Sequence, residues 1–198
     1  ARHRITRRVC LQTGETSLHP VAPGSGFMFH GNNLEKVFGP QWRLLLIGAG
    51  ELSRRVAQLG LALDYAVTIC DSRPEYAEGW QVDGTRFVTS SPADTAQNFN
   101  LDERTVVLAL SHVPALDDEA LAIALNSDAC YIGALGSSKN QQARCKRLLR
   151  QGIEPRQLER LHGPVGLDIG SRTPAEIAIA IVAALIQQRN RTNRAQQE

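Results

Sequence analysis

The pattern of apolar and polar positions changes near residue 43. From there on, continuous apolar runs alternate with stretches of helical period. Arg43–Ile47, Ala66–Cys70, Thr105–Leu110 and Ala129–Ile132 are largely apolar at successive positions, as strands buried on both faces are. A shorter run near Arg86–Thr89 predicts a further strand. Leu52, Val56, Leu59 and Leu63 recur at helical spacing and predict a helix over Glu51–Leu63. Ser91 and Pro92 open a helix over "SPADTAQNF". Leu116–Asn126 and Ser137 to about Arg150 read as helices, and Pro155 sits in the first turn of a short one. "DSRPEYAEGWQVDG" reads as a loop. The last helix has the clearest start, because Thr173 at the N-cap and Glu176 three residues on can satisfy each other's backbone donors as a capping box. Its body, "IAIAIVAALI", is apolar on nearly all sides, which predicts burial all round and points to a homodimer as one source of cover.

Strands alternating with helices predict an α/β fold, a doubly wound, mostly parallel, Rossmann-like sheet. Residues 1–40 differ. Gly14, Pro20, Pro23, Gly24, Gly26 and Gly31 interrupt them, no helical period runs through them, and "RRVCLQTG" and "GFMFHG" each predict a short strand. The expected organisation is a small β appendage or the remnant of a preceding domain over 1–40, a Rossmann-like domain over 41–190, and a polar tail over 191–198.

Composition narrows the function. The 198 residues suit one domain with a small appendage. Hydrophobic residues make up 42% and aromatic ones only 5%, so the core is expected to be Leu, Ile, Val and Ala. A net charge of +2 argues against a dedicated nucleic-acid binder. The arginines at both ends read as solvated tails. Cys10, Cys70, Cys130 and Cys145 form no CxxC, so neither a zinc site nor a redox pair is signalled, and the expectation is a reducing, cytoplasmic setting. The apolar stretch 177–186 is too short to cross a bilayer. The chain opens on Ala, which suggests a processed form or a piece of something longer.

In a doubly wound sheet, ligands bind beyond the carboxyl ends of the strands, where the strand order reverses. The first strand runs into Gly48-Ala49-Gly50, a turn that lets a phosphate approach the backbone and then offers it the free N–H groups of a helix start. Ser53 stands where a third glycine is usual. The second strand ends in Asp71, about 20 residues after the glycines, where a carboxylate commonly accepts from ribose hydroxyls. Arg73 can pair with a phosphate or simply with Asp71. Ser111 and His112 close the "TVVLAL" strand, and the imidazole can donate a hydrogen bond, act as acid or base, or merely cap the next helix. Asp117 and Asp118 are first explained by the dipole of that helix. Gly133, Gly136, Ser137 and Lys139 make a second glycine turn into a helix, a second candidate anion site. The loop "GPVGLDIGSRTPAEI" brings Asp168 and Arg172, as ligand contacts or as a structural pair. No Tyr-x-x-x-Lys pair, Gly-x-Ser-x-Gly elbow or second large domain is present for hydride or acyl chemistry.

Taken together, "LLLIGAGELSRRVAQL", "VTICDSRPEYA", "LSHVPALDDEALAIAL", "YIGALGSSKNQQARCKRL" and above all "LHGPVGLDIGSRTPAEIAIAIVAAL" resemble the carboxyl-terminal Rossmann domain of the xanthine dehydrogenase accessory-factor (XdhC/CoxI) family, over about residues 43–187. The resemblance implies a maturation chaperone more than an enzyme. It would bind the molybdenum cofactor, as molybdopterin or its cytosine dinucleotide form, support its sulfuration with a cysteine desulfurase, and hand it to a molybdenum hydroxylase apoenzyme such as xanthine dehydrogenase. The expected contacts are Gly48, Gly50, Asp71, Arg73, Ser111, His112, Gly136, Ser137, Lys139, Asp168 and Arg172. An NAD(P)-dependent oxidoreductase or NAD(P)-binding regulatory module is the alternative. The chain departs from the family pattern at Ser111-His112-Val113, where Thr-His-Asp is usual, and at Gly136-Ser137-Ser138-Lys139-Asn140, where Gly-Ser-Arg-Arg-Lys is frequent. The family's amino-terminal domain with its Gly-Gly-Cys segment is not represented, and residues 1–40 are expected to be what remains of it.

Overall fold

The strand Arg43–Ile47 (β5) is buried at Leu44, Leu45, Leu46 and Ile47, and the rest of the domain is built outward from it. In the computed structural model, residues 5–21, 27–38, 42–111 and 113–195 are described. The chain divides into two units, Trp42–Gln188 and Ala1–Gln41 with Arg189–Glu198.

The smaller unit holds four strands, β1 (Ile5–Cys10), β2 (Thr16–Pro20), β3 (Phe27–His30) and β4 (Asn33–Phe38). They pair antiparallel in the order β2-β1-β4-β3. Both expected strands are present, as β1 and β3, and each has an additional antiparallel neighbour.

The larger unit carries β5, β6 (Ala66–Cys70), β7 (Arg86–Val88), β8 (Thr105–Ala109), β9 (Tyr131–Ala134) and the two-residue β10 (Leu161–His162). All pair parallel, in the order β10-β9-β8-β5-β6-β7. The chain works outward from β5 to β7, then returns to β5's other edge as β8. The strand order therefore reverses between β5 and β8, and a crevice is expected beyond their carboxyl ends. The Rossmann-like sheet and its antiparallel appendage are the architecture the hydropathy pattern predicts.

The helices are α1 (Glu51–Ala62), α2 (Pro74–Glu78), α3 (Pro92–Asn98), α4 (Pro114–Leu125), α5 (Ser138–Arg150), α6 (Pro155–Leu158) and α7 (Pro174–Ala195). Alternation along β5 sorts them into layers. Leu44 and Leu46 join Val56 and Ala57 of α1 and Ala178, Ile181 and Leu185 of α7 in one core cluster. Leu45 and Ile47 join Ala96 of α3, Leu121 and Leu125 of α4 and Leu148 of α5 in the other.

The start signals are realised. Ser91 accepts from the Asp94 N–H and caps α3. At α7, the Glu176 carboxylate accepts from the Thr173 N–H at 2.9 Å and the Thr173 hydroxyl from the Glu176 N–H at 3.3 Å. Most of α7's apolar surface is consumed by this chain's own core, and Ile179 stands out at 56% exposure. Val56 is buried and Leu52, Leu59 and Leu63 pack partly buried against the core, but the residues of α1 that lie deepest are Ser53, Val56, Ala57 and Gly60. A side chain at Gly60 would meet Leu44 Cδ2 at 2.9 Å, so small residues let this helix lie close on the sheet. Among the described residues, no helix is long and apolar enough to cross a membrane.

Candidate functional site

The turn after β5 is fixed from three directions. Gly48 has φ +94°, and a Cβ there would lie 2.7–2.8 Å from the Cβ, Cα and N of Ser111 at the end of β8. Only glycine allows both the conformation and the approach. The Ser53 hydroxyl, fully buried, donates to the Gly48 carbonyl at 2.5 Å. Serine thus replaces the usual third glycine and adds a clasp across the turn. The Ala49 N–H donates to Asp71 Oδ2 at 2.8 Å.

Asp71 is 5% exposed. Its other partners all come from Arg73: the backbone N–H at 3.2 Å and Nε at 2.9 Å reach Oδ1, and a terminal nitrogen reaches Oδ2 at 2.7 Å. Burial opposes ionisation of this carboxyl, but the Arg73 guanidinium and the Ala49 N–H outweigh it and hold the pKa below its ordinary value. Beside this clasp lies a recess of only about 10 Å³, between Gly48, Asp71, Arg73 and Ser111.

On the other side of the switch point the fold opens. A cleft of about 590 Å³ is lined by Gly50, Glu51 and Leu52 at the start of α1, Leu110 and Ser111 after β8, Leu135 and Gly136 after β9, Asn140, Arg144 and Arg147 of α5, and Pro174 and Ile177 of α7. That size is ordinary for a small-molecule site. Gly50 is the N-cap of α1, at φ −75° and ψ −178°, and no side chain caps the helix. A Cβ at Gly50 would meet nothing within 4 Å. The first turn of α1 therefore presents backbone donors and the positive end of its dipole to the cleft.

The cleft's floor is charged. Asp117 and Asp118 are each 1% exposed and Arg144 is 4% exposed. Ser111 Oγ donates to Asp117 Oδ1 at 2.6 Å. Arg144 lies 3.9 Å from Asp117 and 3.4 Å from Asp118, and also donates to the Leu135 carbonyl at 3.2 Å and Gln141 Oε1 at 3.2 Å. Arg147 closes on Asp118 from the rim. Asp117 does stand in the first turn of α4, where the helix dipole favours it, and both aspartates are in addition buried ion-pair partners of α5.

Burial pushes the Asp117 carboxyl up to about 6, while the Ser111 hydroxyl and Arg144 pull it down and Asp118 pushes it up. An aspartate whose folded pKa lies above its unfolded value of about 3.9 stabilises the fold at low pH and loses that contribution as pH rises through the folded value. Unfolding free energy measured from pH 4 to 7 is therefore expected to gain less with pH in the wild type than in Asp117→Asn. The two curves should diverge by about 2 kcal/mol between pH 4 and 6.5. Parallel curves would remove the buried, proton-binding Asp117.

The remaining expected contacts divide. Gly136, at φ +148°, lines the main cleft and a neighbouring cavity of about 400 Å³ that Asp168 also lines. Ser137 caps α5 by accepting from the Asn140 N–H at 3.2 Å. Lys139 is exposed in the first turn of α5. Arg172 is exposed, and its backbone N–H donates to Glu176 Oε2 at 2.7 Å. No ion pair joins it to Asp168 among the described residues. His112 lies outside the described residues. Sequence reasoning missed Asn140, Arg144 and Arg147. Their spacing of three and four places all three on one face of a helix, and that signal was available beside the second glycine turn.

A family model described as the XdhC Rossmann domain matches residues 44–185. The chain belongs to the XdhC Rossmann-domain family. The match covers all but the first residue of the six-stranded sheet and every residue lining the cleft. The chain is 31% identical over 159 residues to the uncharacterised protein YqeB of Escherichia coli K12, an alignment that covers 78% of this chain and 28% of that one. It is 31% identical over 153 residues to a probable xanthine dehydrogenase component of Bacillus subtilis 168, covering 77% of this chain and 44% of that one. A crystal structure of a xanthine dehydrogenase from Bacillus halodurans superposes with a TM-score of 0.74 at 26% identity, over 96% of this chain and 60% of that one. The chain thus spans less than two thirds of the length of each of these relatives.

Proposed function

We propose that this chain is an accessory protein in the maturation of a molybdenum hydroxylase such as xanthine dehydrogenase, and that it receives the molybdenum cofactor, a pterin bearing a phosphate, for delivery to the apoenzyme. The observation that carries the reading is the cleft at the switch point of an XdhC Rossmann domain, lined by an uncapped helix start, the buried Arg144 and the half-exposed Arg147. Two relatives named for xanthine dehydrogenase support the partner.

The residues fit such a group. A phosphate at the start of α1 would meet N–H donors at Gly50, Glu51 and Leu52. Arg144 and Arg147 are already paired with Asp117 and Asp118, so they supply oriented donors rather than net positive charge. That suits a cargo that must be released: amides hold the phosphate while the field of the site stays near neutral. Leu52, Leu110, Leu135 and Ile177 give the walls an apolar surface for a flat heterocycle. The group itself would supply the dithiolene-bound metal, and this chain would bind, orient and shield it. A cysteine desulfurase is the further partner this reading calls for.

The test is anaerobic purification of the full-length protein, oxidation, and measurement of pterin fluorescence, alongside rescue of hydroxylase activity in cells lacking the protein. About one pterin per chain and restored activity are expected. A pterin-free protein that also fails to restore activity would refute the reading.

A further inference from the structure

In a sheet of this order a dinucleotide straddles the switch point, with its adenosine on the β6 side and its other half over the later strands. Here the two sides are unequal. On the β6 side the recess holds about 10 Å³, roughly what one water needs. The carboxylate that would accept a ribose diol there has a side chain 4% exposed, and it takes four hydrogen bonds from Ala49 and Arg73. Arg73 is itself held over the Tyr76 ring at 3.8 Å, so the clasp is anchored from outside. Opening it would strand a buried carboxylate.

On the β8–β9 side lies the 590 Å³ cleft. The cleft has room for a ligand, and a Cβ at Gly50 would enter open space, so the glycine is not required by packing. Arg144 lines the cleft floor, where its Nε sits 3.4 Å from Asp118 Oδ1 within the ion-pair cluster.

We infer that this domain is a half-site: it takes a ligand with one terminal phosphate, up to the size of a mononucleotide, on the β8–β9 side, and the Asp71–Arg73 clasp excludes the adenosine half of a dinucleotide. The inference rests on the reading that the sheet's carboxyl edge receives a phosphate-bearing ligand. It narrows that ligand's class and turns Asp71 from a ribose contact into a positioning residue for the glycine turn. It also sets the NAD(P) alternative aside on geometric grounds.

The test uses the full chain, labelled with nitrogen-15 and titrated separately with inorganic phosphate, nicotinamide mononucleotide and NAD⁺. Saturable amide shifts at Gly50, Leu52 and Gly136 are expected with phosphate and with the mononucleotide, and none at Asp71 or Ser72. NAD⁺ should bind at least tenfold more weakly than the mononucleotide, the reverse of an ordinary dinucleotide site. Arg73→Ala, at a half-exposed position, should narrow that gap and bring Ser72 into the NAD⁺ response. NAD⁺ binding more tightly than the mononucleotide, shifts at Asp71 and Ser72 in the wild type, an unchanged gap in Arg73→Ala, or no saturable shift at Gly50 and Gly136 would each overturn the proposal. A chain that gives these shifts but carries no pterin keeps the half-site and loses the assigned cargo. A pterin-loaded chain whose Ser72 responds to NAD⁺ does the opposite.

Discussion

Gly48→Ala is expected to cost about 3–5 kcal/mol of folding stability. Two penalties act at once. The backbone at φ +94° is one that an L side chain rarely adopts, at about 1–3 kcal/mol. The added methyl would also lie 2.7 Å from Ser111 Cβ and 2.8 Å from its backbone, which a tightly hydrogen-bonded strand end cannot yield cheaply. Overpacking of this kind costs about 1–3 kcal/mol more. The Leu110 N–H donates to the Ile47 carbonyl at 2.9 Å, so moving Ser111 would pull on the β5–β8 pairing itself. For a unit of this size the loss corresponds to a fall of about 10 °C in the melting temperature. Thermal unfolding of the variant checks it. A change of less than about 2 °C would mean that the turn and the end of β8 are not in contact as described.

Gly50→Asp should do the reverse: leave the fold intact and abolish ligand binding. The position has an extended backbone open to any residue, and its Cβ direction is empty. Aspartate is among the best N-cap residues and favours the positive helix end, so the melting temperature should hold or rise slightly. The same carboxylate would stand where the phosphate is to be received. Two like charges about 4 Å apart near a protein surface repel by about 4 kcal/mol, roughly a thousandfold in affinity. Phosphate-induced shifts at Leu52 and hydroxylase rescue should both disappear. A protein that binds phosphate normally with Asp at 50 would show that α1 is only a scaffold. Together, the two glycines separate structure from binding within one turn.

How much of this was legible in the sequence depended on where the information lies along the chain. β5 and β6 were readable to the residue, because each is an unbroken apolar run ending at a glycine or an aspartate. β9 was displaced by two residues. Gly133 and Ala134 have weak strand propensity, but Gly133 is in the strand because Val165 fills the place of its side chain, a contact 32 residues away that no local pattern announces. β2 and β4 were missed because "TSLHP" is exposed throughout and "NLEKVF" is only partly buried, and both are mixed in polarity. The five-residue α2 was read as loop. The small-residue face of α1 was hidden by its leucines, which are the more visible stripe.

At the site, the glycine turns and the strand ends were correctly placed at one edge, because the fold class alone dictates that edge. The pairing of Asp118 with Arg147 and Asp117 with Arg144 was not foreseeable. It joins two helices about 29 residues apart through their packing on the same side of the sheet, and two adjacent aspartates near a helix start look like dipole partners. Asp71 and Arg73 posed the opposite difficulty. Their spacing suggested both a ribose contact and a mutual pair, and only the crowding around Ala49 favours the pair.

The most direct measurement is a crystal structure of the full-length protein loaded with the phosphate-bearing pterin. The phosphate is expected within about 2.7–3.2 Å of the backbone nitrogens of Gly50, Glu51 or Leu52, with the ring system extending toward Gly136 and Arg144. Density over Ser72 and Arg73 instead, or a loaded protein whose cleft between α1, α5 and α7 stays empty, would contradict it.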